Sequence, residues 1–262
     1  MRLFLVKGKV FTICLLLFLL VFSFVTGYLV AGRRSPVLPV VDQRLVPIYS
    51  VQRPDKKIAI TLDGTWGADY TEELLDIFAE HDIFITFFFA GYWLEEYPDL
   101  VRKIARAGHE VGNHTYTHPH CPRISRQKLI EELEETSGLI KKLTGKRPRF
   151  FRPPFGEYND KVIRTARDLN YQVIQWSLDS LDWKEPGVDF IVERILGNTE
   201  SGEIILMHNN APDTPEALRR IIPELKKKGY QPVPLSELIY SENYDIYSHN
   251  GLQVKGAVNK NE

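Results

Sequence analysis

Sulfur is scarce in this chain: its 262 residues include two cysteines and two methionines. Cys14 lies in an apolar amino-terminal run and Cys121 stands alone in the remainder, so no disulfide framework holds the fold and cysteine usage does not decide the compartment. Net charge is also nearly absent, at -1 from 33 basic and 34 acidic residues, which excludes the basic footprint of a nucleic-acid binder. No internal repeat is present. Charged residues are missing altogether from residues 10–32, a run long enough to cross a hydrocarbon core of about 30 Å as a helix. The expectation is a membrane-spanning signal-anchor helix over residues 1–33, because the apolar part of a cleaved signal peptide is normally only about 7 to 15 residues long. Everything after it would sit outside the cytoplasm, tethered to the membrane, or secreted if the segment is cleaved. Arg2, Lys7 and Lys9 before the run and Arg33 and Arg34 after it give only a slight orientation preference.

A hydrophobic fraction of 44% beside a charged fraction of 26% suits a globular domain. Residues 34–55 are proline-bearing and aperiodic, so they read as an extended linker. After them, strand patterns at 58–62, 85–90, 110–112, 150–151, 172–177, 203–207 and 231–233 alternate with helical patterns. The helices are expected at 71–81 with Thr71 as N-cap, 98–107, 125–144, 160–169, 188–196 and 215–228, two of them closed by Gly108 and Gly145. Such alternation demands parallel strands joined by right-handed crossovers. The count is short for an eight-unit barrel of about 250 residues. The expected architecture is therefore α/β, a distorted (β/α) barrel of about seven strand-helix units over residues 56–241, followed by a loose polar tail over 242–262.

Polar motifs stand where five of the strand runs stop: Thr61-Leu-Asp63-Gly64-Thr65, His114-Thr-Tyr-Thr-His118, Arg152-Pro-Pro-Phe155, Asp179-Ser-Leu-Asp182-Trp183 and Leu206-Met-His208. Parallel strands bring all five to one carboxyl-terminal edge, where α/β enzymes place their chemistry. His114 and His118 have a spacing that lets two imidazoles meet one metal, on a helical turn or a tight loop; Pro119 and the β-branched Thr115 and Thr117 favour the loop. Asp63 suits a general base or a turn cap. His208 suits a proton donor or a satisfied edge histidine. Arg152, stiffened by Pro153 and Pro154, suits pairing with a carboxylate, and Trp183 offers a flat face for a sugar ring.

In this order the motifs resemble those of the polysaccharide deacetylase family, also called the NodB homology domain or carbohydrate esterase family 4, over roughly residues 56–240. The resemblance implies removal of N-acetyl groups from amino sugars with a divalent metal, zinc first and cobalt or manganese as alternatives. It makes Asp63 the base, His114 and His118 the metal ligands, and His208 the acid, oriented by Asp182, with Arg152 steadying Asp63. Trp183 and Leu206 would line the acetyl pocket, with Phe155, Trp66 and Asp179 as further substrate contacts. One departure matters more than the others: Gly64 stands where the family has its third metal ligand, an aspartate, while Thr65 and Trp66 replace Gly and usually Pro of the same motif. The form Asp63-Gly-Thr-Trp-Gly67 resembles the sporulation-type branch. Asp69, His120 or Cys121, or substrate and waters, are the candidates to complete the metal site. The expected function is metal-dependent deacetylation of a cell-wall or spore-wall glycan; the alternatives are a catalytically impaired glycan-binding protein and an O-acetyl esterase.

Overall fold

The computed structural model describes residues 2–31 and 44–256, with side chains described for residues 11–26 of the first helix. That helix, α1 (Arg2–Ala31), belongs to a unit of its own ending at Gln43. Among the described residues no helix is long and apolar enough to cross a membrane, so the expected span over residues 1–33 finds no support here.

The second unit begins at Arg44. Its elements are β1 (Ser50–Val51), β2 (Lys57–Gly64), α2 (Thr71–Glu80), β3 (Thr86–Phe89), α3 (Gly91–Glu96), α4 (Pro98–Arg106), β4 (Glu110–Asn113), α5 (Arg126–Thr144), β5 (Phe150–Phe151) and α6 (Asp160–Asp168). They continue as β6 (Gln172–Val173), β7 (Leu178–Asp179), α7 (Val188–Asn198), β8 (Ile204–His208), α8 (Thr214–Lys227), β9 (Gln231–Pro232), α9 (Leu235–Leu238), β10 (Tyr244–Ile246) and β11 (Leu252–Lys255). Seven parallel strands run in the order β6-β5-β4-β3-β2-β8-β7, and β9 pairs with the start of β2. β6 and β7 lie at opposite ends of that order yet only residues 174–177 join them, so the sheet must curl until its edges approach. The incoming chain bridges the gap, with Ile48 paired to Ile174 and Ser50 to Glu203. The result is an α/β half-barrel of seven parallel strands, in keeping with the expected barrel. The strand expected over 172–177 stops at Val173 with a bridge at Ile174, and β7 begins only at Leu178, because the chain crosses there from one sheet edge to the other.

Period-two alternation decides what each strand residue faces. In β2, Ile58, Ile60 and Leu62 pack with Phe78 of α2 and Leu218 of α8 in the layer between sheet and helices. Ala59 instead joins an inner cluster with Phe88, Phe150, Ile204 and Leu235. Thr61 and Asp63 continue that inner parity toward the carboxyl edge. Strands covered on both faces read as continuous apolar runs, which is why β2 and β8 were legible.

Three expectations are corrected. Thr71 is the first residue of α2 rather than its N-cap, which is Tyr70; the Thr71 hydroxyl accepts a hydrogen bond from Asn209 instead. The extended linker expected over 34–55 is, from residue 46, part of the domain: Val46, Ile48 and Val51 are buried, and residues 48–50 fill the barrel gap. A lone inserted strand has no partner in the local pattern, so it reads as a tether. The loose tail expected over 242–262 is, as far as Gly256, the hairpin β10–β11, whose inner strand lies beside β1 with Gln253 and Val254 buried. Residues 34–43 and 257–262 lie outside the described residues.

Candidate active site

The β2–β8 ladder sets Asp63 opposite His208, one strand spacing of about 4.8 Å apart. Asp179 stands opposite Leu206 on the next pair, while His114 follows β4 and Arg152 follows β5. All five motifs therefore arrive at one edge. Above it opens a cleft of about 710 Å³ with Asp63, His114, His118, Asp182 and His208 in its lining. Leu206 and Asp179 line it too, and the rings of Trp66, Phe155, Trp176 and Trp183 surround them. Trp66, Phe155 and Trp183 are each more than half exposed, an unusual state for large aromatic side chains.

Arg152 lies behind the cleft, fully buried. Its Nη1 donates to Asp63 Oδ1 at 2.7 Å, and Nη2 donates to Thr61 Oγ1 at 2.9 Å and to the Gln175 carbonyl at 3.2 Å. The guanidinium also sits 4.3 Å from the Phe88 ring centroid. Burial pushes the Asp63 pKa up, but Arg152, then His114 and His208, more than reverse this and hold the carboxyl below its ordinary range. Asp63 is thus an ionised carboxylate with one oxygen committed to Arg152.

His208 is the opposite case. Its Nδ1 donates to Asp182 Oδ1 at 2.7 Å, leaving Nε2 for a bound substrate. Asp182 Oδ2 accepts from the His208 backbone N–H at 2.7 Å and from Thr214 Oγ1 at 2.6 Å. Burial pushes the His208 pKa down; the Asp182 hydrogen bond and charge, with Asp63 behind them, turn the net shift upward. One strand spacing separates an ionised carboxylate from a histidine whose protonated form is favoured.

The two other histidines are on a loop rather than a helical turn, with Thr115 and His118 in left-handed backbone at φ 66° and 56°. Glu132 of α5, fully buried, holds this loop by accepting from Tyr116 N, Thr117 N and Thr117 Oγ1. His114 Nδ1 donates to the Arg152 carbonyl at 2.7 Å, so its lone pair is on Nε2, 3.7 Å from Asp63 Oδ2. The His118 ring lies 4.9 Å from that of His114, between Phe155 at 4.5 Å and Trp66 at 5.2 Å. Burial lowers the pKa of both imidazoles and favours their neutral forms, that of His118 being pushed down to about 3.

Neutral imidazoles suit a metal, but the donor set falls short of one. A catalytic zinc takes three protein ligands, and among the described residues no group of three His, Cys, Asp or Glu is arranged to hold an ion. Asp69 is exposed and absent from the cleft lining. His120 is tied through Nδ1 to Glu157 and stacked on Phe155, while Cys121 is fully buried with its thiol pushed up to about 12 by burial. The residues present do not fit the expected divalent metal.

Sequence reasoning overlooked several contributors. Asn209 and Asn210 line the cleft directly after the strand-end His208, a position that was itself a signal. Glu185 also lines it. Thr214 and Glu132 act through long-range hydrogen bonds that leave no local pattern.

A family profile described as polysaccharide deacetylase matches residues 50–174. A peptidoglycan-N-acetylglucosamine deacetylase of Bacillus cereus is 39% identical over 196 residues, covering 73% of this chain and 92% of that protein. Among solved structures, wild-type BA3943 of Bacillus anthracis, a CE4 family pseudoenzyme, matches with a TM-score of 0.71 at 35% identity, over 74% of this chain and 68% of that one. A BA3943 mutant with restored enzymatic activity gives 0.71 at 36% identity, over 74% and 71% of the two chains.

Proposed function

Because the chain belongs to the polysaccharide deacetylase family, whose hydrolases act on carbon–nitrogen bonds, we propose that it removes N-acetyl groups from amino sugars of a peptidoglycan-like wall glycan. The observation that carries this reading is the pairing of ionised Asp63 with Asp182-held His208 on neighbouring strands at the cleft. Amide hydrolysis needs a base for water and an acid for a poor leaving group. Arg152 occupies Oδ1 of Asp63, so Oδ2 is the oxygen that takes the proton as water attacks the acetyl carbon. His208 Nε2 then protonates the departing nitrogen, the carbon–nitrogen bond breaks, and acetate and a free amine leave.

Trp183 and Leu206 are assigned to the acetyl methyl group, and the exposed faces of Trp66 and Phe155 to sugar rings. Asp179 has a structural share as well, since its Oδ1 accepts from Leu181 N and shapes the turn that presents Asp182. The family is generally metal-dependent. In this chain two histidines do not make the site, and no step above passes through a metal.

A second reading is favoured by the same shortfall. Gly64 and the likeness to a pseudoenzyme support a glycan-binding protein with little or no turnover. Acetate release by the parent and Asp63→Asn separates them: only an enzyme has turnover to lose, while glycan binding survives in both. Placement outside the cytoplasm belongs to the proposal, because a wall glycan is there and the uncharged run 10–32 suits an export segment, retained or cleaved. Cell fractionation with protease shaving tests it. A spore-wall substrate rests on the Asp63-Gly-Thr-Trp-Gly67 form alone, and wall chemistry of a deletion strain would check it.

A further inference from the structure

Gly64 is where this chain departs from its family, and the packing around it explains what keeps the position empty. Its own backbone does not demand glycine, since its φ lies outside the left-handed region. A Cβ placed on it, however, overlaps Cδ1 and Cε1 of the Phe89 ring and comes within 3.2 Å of Asn209 Oδ1. Phe89 is the register partner of Gly64 on β3, so the two residues point to the same face of the sheet.

That ring has nowhere to swing. Phe89 is fully buried and lies flat on Trp93, with centroids 4.0 Å apart and planes inclined by 2°, and against Phe87 at 5.4 Å. Trp93 is fully buried too, and its Nε1 donates to the Gly67 carbonyl at 2.7 Å, within the loop that follows Gly64. Asn209 is equally tied, donating to Thr71 Oγ1 at 2.9 Å and to the Gly67 carbonyl at 3.3 Å. An interior packed at crystal density yields little to an added carbon.

We propose that Gly64 and Phe89 form a coupled pair that closes the third ligand position: the Phe89 ring fills the space a carboxylate on residue 64 needs, so tight metal binding returns only when both residues change. The identity of the missing ligand rests on the family reading. The closure itself does not require the chain to be a deacetylase.

The test is zinc titration against a competing chelator, with thermal melting, on the full chain as parent, Gly64→Asp, Phe89→Val and the double variant. The double variant should bind zinc at least about 10-fold more tightly than either single variant or the parent, a non-additive gain expected of residues in contact. Gly64→Asp alone should melt roughly 2–12 °C below the parent, the range for an overpacked core position in a domain of this size, and Phe89→Val should recover part of that loss. If the aspartate variants fail to fold, Gly64→Ala and Phe89→Leu, singly and together, carry the same comparison in melting temperature. A penalty at residue 64 that shrinks in the smaller-residue-89 background supports the pair, and additive penalties overturn it. Gly64→Asp alone binding zinc as tightly as the double variant, or a folded double variant binding no better than the parent, also overturns it. None of these outcomes depends on acetate release, so failure of the deacetylase reading leaves them standing.

Discussion

Asp182→Asn puts the acid half of the site under the most specific strain. Asp182 is fully buried and accepts from His208 Nδ1 and backbone N–H, both at 2.7 Å, and from Thr214 Oγ1 at 2.6 Å. Asparagine retains one acceptor oxygen, which stays with Thr214 and the His208 backbone, so its NH₂ turns toward His208 Nδ1. The ring must then accept there and carry its single proton on Nε2 as a neutral imidazole. Protonating it would set two donors face to face, and burial already works against the cation. The acid is lost while the fold keeps its packing. Loss of a positioned general acid lowers rate by about 10² to 10⁴-fold, which is about 2.7–5.4 kcal/mol of barrier. The charged hydrogen bond itself is worth about 1.5–3 kcal/mol of stability. The assay is acetate release from peptidoglycan fragments across pH. In the parent, His208 has its pKa raised above the ordinary histidine value, so its protonated, active form persists to higher pH than a free histidine would allow. In the variant the alkaline limb moves to lower pH and kcat falls. A kcat within about threefold of the parent with an unmoved alkaline limb would refute the assignment.

Three further outcomes follow from the same geometry. Arg152→Met leaves the Asp63 carboxylate buried without its 2.7 Å partner, and urea denaturation should show a loss of about 3–5 kcal/mol, against under about 1 kcal/mol if the pair is idle. Trp66→Ala, at a ring 66% exposed beside the cleft, should raise KM several-fold with kcat nearly unchanged, because stacking on a sugar acts on ground and transition states alike; a fall in kcat alone would contradict that role. Glu132→Ala removes the acceptors of Tyr116 N, Thr117 N and Thr117 Oγ1, so the His114–His118 loop should lose hydrogen-exchange protection and the domain about 1–3 kcal/mol, whereas unchanged protection would mean the loop is held by other contacts.

What was legible in the sequence depended on how local its cause was. β2 and β8 announced themselves because strands buried on both faces are unbroken apolar runs, and the carboxyl-terminal edge of the parallel sheet follows from them and brings Asp63, His114, Arg152, Asp182 and His208 together. β1, β10 and β11 escaped because each is at most four residues long and partnered across the chain ends. Thr71 looked like a cap, since capping residues and core hydroxyls share one composition; only the Asn209 contact tells them apart. The vacancy at Gly64 was visible as a letter, but Phe89 reads merely as another apolar strand residue, and their collision depends on a β2–β3 register that no local pattern encodes. The amino-terminal run shows the reverse limit: composition suggested a span that the described residues do not support.

The central claim is that Asp63 and His208 hydrolyse the amide of an N-acetylated amino sugar. Acetate released from peptidoglycan and N-acetylglucosamine oligomers by the parent and by Asp63→Asn, with glycan binding measured on both, tests it most directly. The account predicts release by the parent, loss of at least about 10²-fold in the variant, and equal glycan binding. Equal release by both proteins, or none from a folded parent that binds glycan, would contradict it.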